Sequence, residues 1–349
     1  MTRRTISLST AGVVLAVLLV VAFTAPMPYV VMSPGLTENT LGSYNGTKVI
    51  RITGHKTYPT SGHLDLTTVS VTSPDFSPRL NEVLAAWFNR EEIVIPRDIT
   101  YPPSKTVKQV EQQNQADMVN SQDSAIAAGL AQAGIQSVSV TVSQVESGTP
   151  ADGVLEKGDV ITAINGTAIH SVDAAITAIT SLTPGTQVTL DIERNQQPQT
   201  VTLTTEKSQD DPSMSRIGVG LGENFDPPFK VDITLGQNIG GPSAGTMFAL
   251  AVYDLITPGA LTGGRYIAGT GTITSDGTVG VIGGVQQKIA GAYGQGATIF
   301  LVPAGDCAEA VQSPLAGDIQ LVKIDTLDDA VKALEAIDAG NNSAVTPCS

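Results

Sequence analysis

Residues 238–256 read NIGGPSAGTMFALAVYDLI, a glycine-rich loop that runs directly into an apolar helix. Ser243 stands at the mouth of that helix, where a serine is most often the residue that caps it. The same position also suits a nucleophile. Gly240 and Gly241 would let backbone amides approach a substrate carbonyl closely, and the positive end of the helix dipole favours a developing oxyanion.

The residues around this loop alternate strands and helices, which is typical of a mixed α/β domain. The predicted strands are KVDITLG, RYIAGTGTIT, ATIFLVP and IQLVKID. They are interleaved with helices that begin near Ser243, Val285, Asp306 and Leu327. We therefore predict an α/β (α+β) domain with a mixed sheet over residues 217–340, followed by a C-terminal tail at 341–349.

Two further blocks precede this domain. Residues 29–123 show strand-like alternation in KVIRITG and GHLDLTTVSVTS, a short helix at Leu80–Phe88, and a long polar helix at Thr106–Leu130 that we interpret as a connector. Residues 124–206 are rich in alternating strands around one helix. The polar run at 207–216 is typical of a linker.

Composition and motifs exclude several classes of function. The chain of 349 residues carries 33 acidic and 19 basic side chains, a net charge of −14, without a lysine/arginine cluster. We therefore expect no nucleic-acid partner. No G-x-x-x-x-G-K-[ST] sequence occurs, so the chain has no P-loop for a nucleotide. No His/Cys cluster has the spacing of metal ligands, and we expect no metal and no cofactor.

The N-terminal segment predicts attachment to a membrane. Residues 5–25 are free of charge and follow two arginines. About 21 helical residues span about 31 Å, which is enough to cross a hydrocarbon core. We predict a single-pass transmembrane anchor within residues 1–28, with a cytoplasmic N-terminus and extracytoplasmic domains in the cell membrane. The alternative is a cleaved signal peptide, because Ala22 and Ala25 are small.

Cys307 and Cys348 are the two cysteines of the chain. In an exported protein they either form one disulfide that holds the C-terminal tail or remain two free thiols. Their spacing in the sequence does not decide between these possibilities.

Few residues could act as a general base for Ser243. The segment Gly241–Gly245 satisfies the G-x-S-x-G nucleophile-elbow pattern, but that fold needs a histidine after the serine, and all three histidines precede it. A neutral lysine can take the proton of a serine instead. Lys288 stands among small and apolar residues, where burial would lower the pKa of its amine. An isolated lysine is otherwise most often a surface residue.

GGPSAG and the later segment GTGTITSDGTVGVIGGVQQKIAGAYGQGATIFLVP resemble the proteolytic domain of the Lon proteases. The resemblance covers about residues 217–337. It implies that Ser243 is the nucleophile, that Lys288 is the general base, and that Thr270 hydrogen-bonds the lysine.

The chain departs from that family in three ways. Ile239 and Gly240 stand where Lon enzymes carry Lys-Asp, and Thr272 stands where an acidic residue is common. The ATPase that unfolds the substrates of Lon enzymes is also absent, since there is no P-loop. The expected substrates are therefore flexible segments, chain termini or proteins that are already unfolded.

SGTPADGVLEKGDVITAINGTAI resembles a PDZ module of bacterial proteases. Such domains capture a peptide terminus by adding it as a strand to an exposed sheet edge. We place the carboxylate-binding loop ahead of the predicted 137–144 strand, with four candidate peptide contacts: Gly134, Ile135, Gln136 and Val138. The alternative is a spacer whose groove no longer binds peptides.

The order of anchor, β-rich segment, PDZ-like module and Lon-like domain is similar to the membrane-anchored, PDZ-containing Lon-like proteases of bacteria. That resemblance implies an ATP-independent serine endopeptidase, a homo-hexameric ring, and packing of residues 29–100 with the protease domain. Two alternatives stay open. One is a catalytically silent scaffold whose PDZ module binds peptides, and the other is a protease that stays silent until a peptide occupies that module.

Overall fold

The computed structural model describes residues 3–236 and 239–349, with the backbone alone for residues 3–9. The helices are α1 Arg3–Thr24, α2 Leu80–Phe88, α3 Arg97–Thr100, α4 Val107–Gln132, α5 Val172–Thr180, α6 Gly245–Ile256, α7 Val285–Gly294, α8 Cys307–Ala310 and α9 Leu327–Asp338. The strands are β1 Tyr29–Asn39, β2 Ser43–Tyr44, β3 Thr47–Lys48, β4 Ile50–Thr53, β5 His63–Val71, β6 Ile93–Pro96, β7 Val138–Val145, β8 Val160–Ile164, β9 Thr167–Ala168, β10 Gln187–Arg194, β11 Gln197–Thr204, β12 Glu206–Lys207, β13 Ser215–Arg216, β14 Val219–Phe225, β15 Lys230–Ile233, β16 Tyr266–Gly269, β17 Thr272–Ile273, β18 Val279–Gly280, β19 Ile299–Pro303 and β20 Gln320–Ile324.

A six-stranded mixed sheet, in the order β20-β19-β16-β5-β1-β6, forms the α/β part of the molecule. Strands β20, β19, β16 and β5 run parallel, whereas β1 and β6 are antiparallel to their neighbours. Because β5 pairs with β16 from His63–Tyr266 to Leu66–Gly269, strands from the first hundred residues lie in the same sheet as strands from the C-terminal part.

Helices cover both faces of this sheet. Ile267 of β16 packs in the core that contains α6, and its neighbour Ala268 packs in the core that contains α7, as expected for a strand buried on both faces. Every residue of α6 except Tyr253 is buried. A β-carbon on Gly129 would lie 2.7 Å from the carbonyl oxygen of Ala249, so α4 crosses α6 in close contact. Helix α4 is therefore part of this core, in contrast to the connector expected from its polar sequence.

A second, antiparallel sheet has the order β11-β10-β8-β7-β14. The residues that form this second sheet differ from those expected from the predicted domain boundaries. Strand β14 pairs with β7, although the division at residue 217 assigned it to the α/β domain. Residues 124–132, assigned to the second block, belong to α4. The expected linker at 207–216 contributes to the short β12–β13 pair, Glu206–Arg216 and Lys207–Ser215.

The N-terminal helix does not meet the prediction made for it. Among the described residues, no helix is both long enough and apolar enough to cross a membrane. The transmembrane anchor predicted within residues 1–28 is therefore not supported; residues 1 and 2 lie outside the described part of the chain. The chain after α1 is fixed to the body of the protein, because the amide of Met27 donates to the carbonyl oxygen of Pro78 at 2.9 Å.

A disulfide joins Cys307 to Cys348, across 41 residues of sequence. The structure thus decides between the two possibilities left open by the sequence. The bond ties the C-terminal tail to α8, at the end of the loop that carries Asp306.

Candidate active site

The loop before α6 presents Ser243 at the surface of the core. Helix α6 begins at Gly245 with Ala244 as its N-cap, and within the described residues no side chain caps it. The common capping role of a serine is therefore not the role of Ser243. Its carbonyl oxygen accepts hydrogen bonds from the hydroxyl of Thr270 at 3.0 Å and from the amide of Gly271 at 2.9 Å. These bonds fix the backbone of Ser243, and its hydroxyl makes no hydrogen bond to the described part of the chain.

Lys288 projects from α7 toward the same place. Its side chain is buried, with 2% of the residue exposed, and its Nζ donates to the hydroxyl of Thr270 at 3.0 Å. Thr270 is fully buried, and its own hydroxyl donates to the carbonyl of Ser243. The structure thus brings the three predicted residues together through Thr270. Between residues 239 and 349, where all three lie, no hydrogen bond joins Lys288 directly to the Ser243 hydroxyl.

Burial sets the protonation of this lysine. It lowers the pKa of the Lys288 amine from 10.5 to about 8, because a charged amine loses its solvation there, while the nearby carboxylate of Asp306 opposes the shift. Asp306 is buried as well, and burial raises the pKa of its carboxyl against the hydrogen bond that it accepts from the amide of Ile282 at 3.0 Å. About half of the Lys288 amines are neutral at pH 8, which is what a general base requires.

Ser243 and Lys288 line one cleft of about 660 Å³. Three elements contribute its other walls: the glycine loop, the C-terminal half of β5 and one face of α4. The lining residues from these elements are Ile239, Gly240, Gly241, Ala244, Thr67, Thr68, Val69, Val71, Glu111, Asn114, Gln115 and Met118.

The two glycines of the loop differ in their surroundings. Gly241 has a φ of +87°, a left-handed conformation that favours glycine. Its amide donates to the carbonyl oxygen of Asn114 at 3.1 Å, so in this arrangement it is not free to bind an oxyanion. The expectation that both Gly240 and Gly241 would supply such donors therefore fails for Gly241 in this arrangement, and Gly240 remains the candidate.

Helix α4 is the part of the site that the sequence analysis missed. Asn114 holds the glycine loop, and the hydroxyl of Ser121 donates to the carbonyl of Pro242 at 2.9 Å. A usable signal was present. Met118, Ser121, Ala125 and Ala128 recur at helical spacing, and all four are buried in the structure.

A second cavity, of about 390 Å³, lies between α5 and β14. Ile176 and Ile179 of α5 face Val219 and Leu221 of β14 across it. Strand β14 is the last strand of its sheet, so its free edge borders this groove. Such an edge beside apolar side chains can accept an extended peptide as an additional strand.

The predicted peptide contacts lie at the opposite end of the ladder. Val138 pairs with Phe225, whereas the groove adjoins Val219, which pairs with Val145. The structure therefore places Gly134, Ile135, Gln136 and Val138 away from this groove, and none of the four lines it. The groove is bordered by β14, which follows the other strands of its sheet in the chain, whereas the sequence analysis placed the carboxylate-binding loop ahead of the 137–144 strand.

Comparison with known families gives two matches within the chain. Residues 237–336 match the family "Lon protease (S16) C-terminal proteolytic domain", and residues 108–205 match the family "PDZ domain". The chain therefore contains a Lon-type proteolytic domain and a PDZ domain. The Lon-type domain supports the assignment of this chain to the serine peptidases.

Individual relatives give the extent of the similarity. The chain is 33% identical to "Lon protease 2" of Herpetosiphon aurantiacus over 126 residues, 34% of this chain and 15% of that protein. It is 36% identical to the Lon protease of Mesomycoplasma hyopneumoniae over 88 residues, 25% of this chain and 10% of that protein. The chain thus spans only a small part of these relatives. The PDZ domain of the SdrC-like protein from Listeria monocytogenes is 28% identical over 24% of this chain and 85% of that chain, with a TM-score of 0.22.

Proposed function

We propose that this chain is an ATP-independent serine endopeptidase that uses a Ser243–Lys288 dyad on flexible or unfolded proteins. One observation carries the proposal. The Lys288 amine is buried in the cleft that Ser243 lines, it is held by Thr270, and its pKa is lowered to about 8. An amine in such surroundings can exist in the neutral form that accepts a proton.

The proposed reaction has two steps. Neutral Lys288 takes the proton of the Ser243 hydroxyl as its Oγ attacks the carbonyl carbon of the scissile bond. The C–N bond of the resulting tetrahedral intermediate breaks, the lysine gives its proton to the leaving amine, and an acyl-serine remains. Water, deprotonated by the same lysine, then hydrolyses that ester and restores both residues. Thr270 orients the amine throughout, because its hydroxyl is the hydrogen-bond acceptor of Lys288.

The oxyanion of the tetrahedral intermediate needs backbone amides that are available to donate hydrogen bonds to it. The amides of Gly240, Ser243 and Ala244, just ahead of α6, are suited to this role, since the helix dipole adds positive potential there. The first amides of α6 itself are occupied; that of Thr246, for example, donates to the carbonyl of Gly271 at 3.1 Å. The Gly241 amide becomes available only when its bond to Asn114 opens. The present arrangement therefore corresponds to a resting site. A productive site further requires rotation of the Ser243 hydroxyl toward Lys288.

Substrate recognition divides between the two cavities. The groove beside β14 is suited to a peptide terminus, and the cleft to the segment that is cut. Because this sequence contains no P-loop motif, the proposal assigns to it substrates that already present an extended segment.

Casein cleavage tests the proposal. Wild-type protein should cleave unfolded casein, and neither Ser243→Ala nor Lys288→Ala should do so. Ser343→Ala changes an exposed serine of the C-terminal tail that lines neither cavity, so this matched control should keep full activity. If none of the four proteins cleaves casein, the endopeptidase proposal fails and the silent peptide-binding scaffold replaces it. Equal cleavage by all four would exclude the Ser243–Lys288 dyad.

The location of the protein is a separate proposal. The Cys307–Cys348 disulfide favours an oxidising, extracytoplasmic compartment. Membrane attachment stays a prediction from the sequence of residues 5–25, and the homo-hexamer stays a prediction from the family resemblance. Carbonate extraction of membranes tests the former, and the mass of the purified particle tests the latter.

A further inference from the structure

One carboxylate connects the peptide groove to the proteolytic domain. Glu223 lies on β14, beyond the groove residue Leu221. Its Oε1 accepts a hydrogen bond from the amide of Val172, the first residue of α5, at 3.1 Å. Both of its carboxylate oxygens also lie 3.0 Å from the hydroxyl of Ser275. Glu223 therefore ties together both walls of the groove and a loop of the other domain.

Ser275 lies in the turn of the β17–β18 hairpin, and this turn is braced internally. The amide of Thr278 donates to the Asp276 carboxylate at 3.0 Å, and the amide of Gly277 donates to the carbonyl of Thr274 at 3.0 Å. A displacement of the turn is therefore expected to move the hairpin as a unit.

In the chain, the hairpin lies between Thr270, which binds both Lys288 and the carbonyl of Ser243, and the helix that carries Lys288. On one side it continues from Thr270 and Gly271, which hold the carbonyl of Ser243. On the other side it leads through Ile282, whose amide binds Asp306, into the helix of Lys288. The first hairpin strand is also attached to α6, because the Thr246 hydroxyl donates to the carbonyl of Thr272 at 3.3 Å.

We propose that Glu223 is a positioning residue, and that its bond to Ser275 holds the β17–β18 hairpin in the resting arrangement until a peptide terminus enters the groove. This inference rests on the proposed function. A peptide strand added to β14 must pass between β14 and α5, the two elements that the Glu223 carboxylate joins. Entry of the peptide therefore shifts this carboxylate and releases Ser275.

The contact can be exchanged in this way because it is not buried. Glu223 is exposed and Ser275 is partly exposed, so water replaces their hydrogen bonds when they separate. The coexistence of this contact with a Ser243 hydroxyl that binds no described residue and an occupied Gly241 amide agrees with a resting site.

Proteolysis with and without a groove ligand tests the inference. The probe is a decapeptide with three apolar C-terminal residues and a free carboxylate, and its amidated twin serves as the ligand control. We expect the probe to stimulate casein cleavage by the wild type. Ser275→Ala and Glu223→Gln should raise basal cleavage by about fivefold or more, as a coupling of ordinary size would, and should lose most of the stimulation. Glu193→Gln, an exposed carboxylate of β10 on the same sheet, should behave as the wild type.

The inference is overturned if both variants bind the probe but keep the basal rate and the stimulation of the wild type. If Glu223 and Ser275 only stabilise the fold, the variants should have lower thermal stability and a changed basal rate, but the same response to the probe. That result would also contradict the inference. Direct titration of the labelled decapeptide by fluorescence anisotropy establishes that the groove of each variant is intact.

A second measurement separates this inference from the proposed function. In full-length Ser243→Ala protein, which cannot turn over, the decapeptide should speed amide hydrogen exchange in residues 272–280. In the Ser243→Ala/Glu223→Gln protein, exchange there should be fast already and unchanged by the peptide. If the wild type cleaves nothing while this exchange pattern appears, the proposed function fails and the coupling stands. If the peptide binds and residues 272–280 exchange as before, the coupling fails whatever the activity.

Discussion

The two cavities of this protein differ in what they do to a charged group. The cleft surrounds the amine of Lys288 until only 2% of the residue is exposed, so its pKa falls to about 8. Among the described residues that line the groove beside β14, the basic one is Arg216, and it forms ion pairs with Glu146 and Glu206 at 2.9 Å. Burial favours the neutral form of the amine in the first cavity, whereas the second cavity keeps its charge paired and has a free strand edge.

The largest expected effect tests the reactive cavity. Ser243→Ala and Lys288→Met should each lower kcat/KM on casein-derived fluorogenic peptides by about 10³-fold or more, the loss typical of removing a nucleophile or its base. Lys288→Arg should be as inactive as Lys288→Met, because a guanidinium is not deprotonated in a protein. Peptide binding in the groove should be unchanged in all three. An active Lys288→Arg enzyme would contradict the role of a neutral amine.

Removing the buried amine should also change stability in a pH-dependent way. The folded-state pKa of Lys288 lies below that of the unfolded chain, so between about pH 8 and 10.5 the unfolded state binds more protons and the wild type gains stability as pH rises. The gain from this one group is about 2 to 3 kcal/mol. Urea unfolding at pH 7 and pH 10 should therefore show a larger alkaline gain for the wild type than for Lys288→Met. Equal gains would place the amine in solvent.

The next effect tests the binding cavity. Ile176 of α5 lines the groove and is half-exposed, so Ile176→Glu should put a charge against the apolar end of a peptide with little cost to the fold. We expect at least about tenfold weaker binding of the C-terminal decapeptide, and an unchanged basal rate on casein. Ile99→Glu, another exposed isoleucine but outside both cavities, is the matched control. A variant that binds as tightly as the wild type would exclude this groove as the peptide site.

The smallest effect concerns the carboxylate near Lys288. Asp306 raises the pKa of the lysine, so Asp306→Asn should lower it and move the alkaline rise of the rate toward neutral pH. The isosteric amide can still accept the hydrogen bond from Ile282. The measurement is the pH dependence of kcat/KM, compared with Asp318→Asn, whose carboxylate lies on an exposed turn. A shift in the opposite direction would show that Asp306 acts on something other than the amine.

The α/β part was predictable because local patterns and tertiary structure agree there. The predicted strand ATIFLVP and the helix starting near Val285 appear in the structure as Ile299–Pro303 and Val285–Gly294. The glycine loop and Lys288 were candidates from residue types, and the resemblance to the Lon proteolytic domain assigned them to one site. The burial expected for Lys288 from its apolar surroundings is seen in the structure.

Contacts between distant segments could not be read in the same way. The polar sequence of α4 predicts a solvated connector, yet Asn114 and Ser121 bind the loop that carries Ser243, more than a hundred residues away. The β14 strand looked like the start of the α/β domain because Gly218 and its neighbours follow a polar run typical of linkers. Its pairing with β7 depends on a partner some eighty positions earlier, which periodicity does not specify.

The pH dependence of kcat/KM for the wild type on a fluorogenic peptide tests the central claim most directly, because it reports the ionisation of the free enzyme. Proton removal from Ser243 by the neutral Lys288 amine predicts a rate that rises tenfold per pH unit at low pH, bends near pH 8 and then stays level. A profile that is flat from pH 6 to 10, or one that still climbs through pH 10 as an exposed lysine would require, contradicts it.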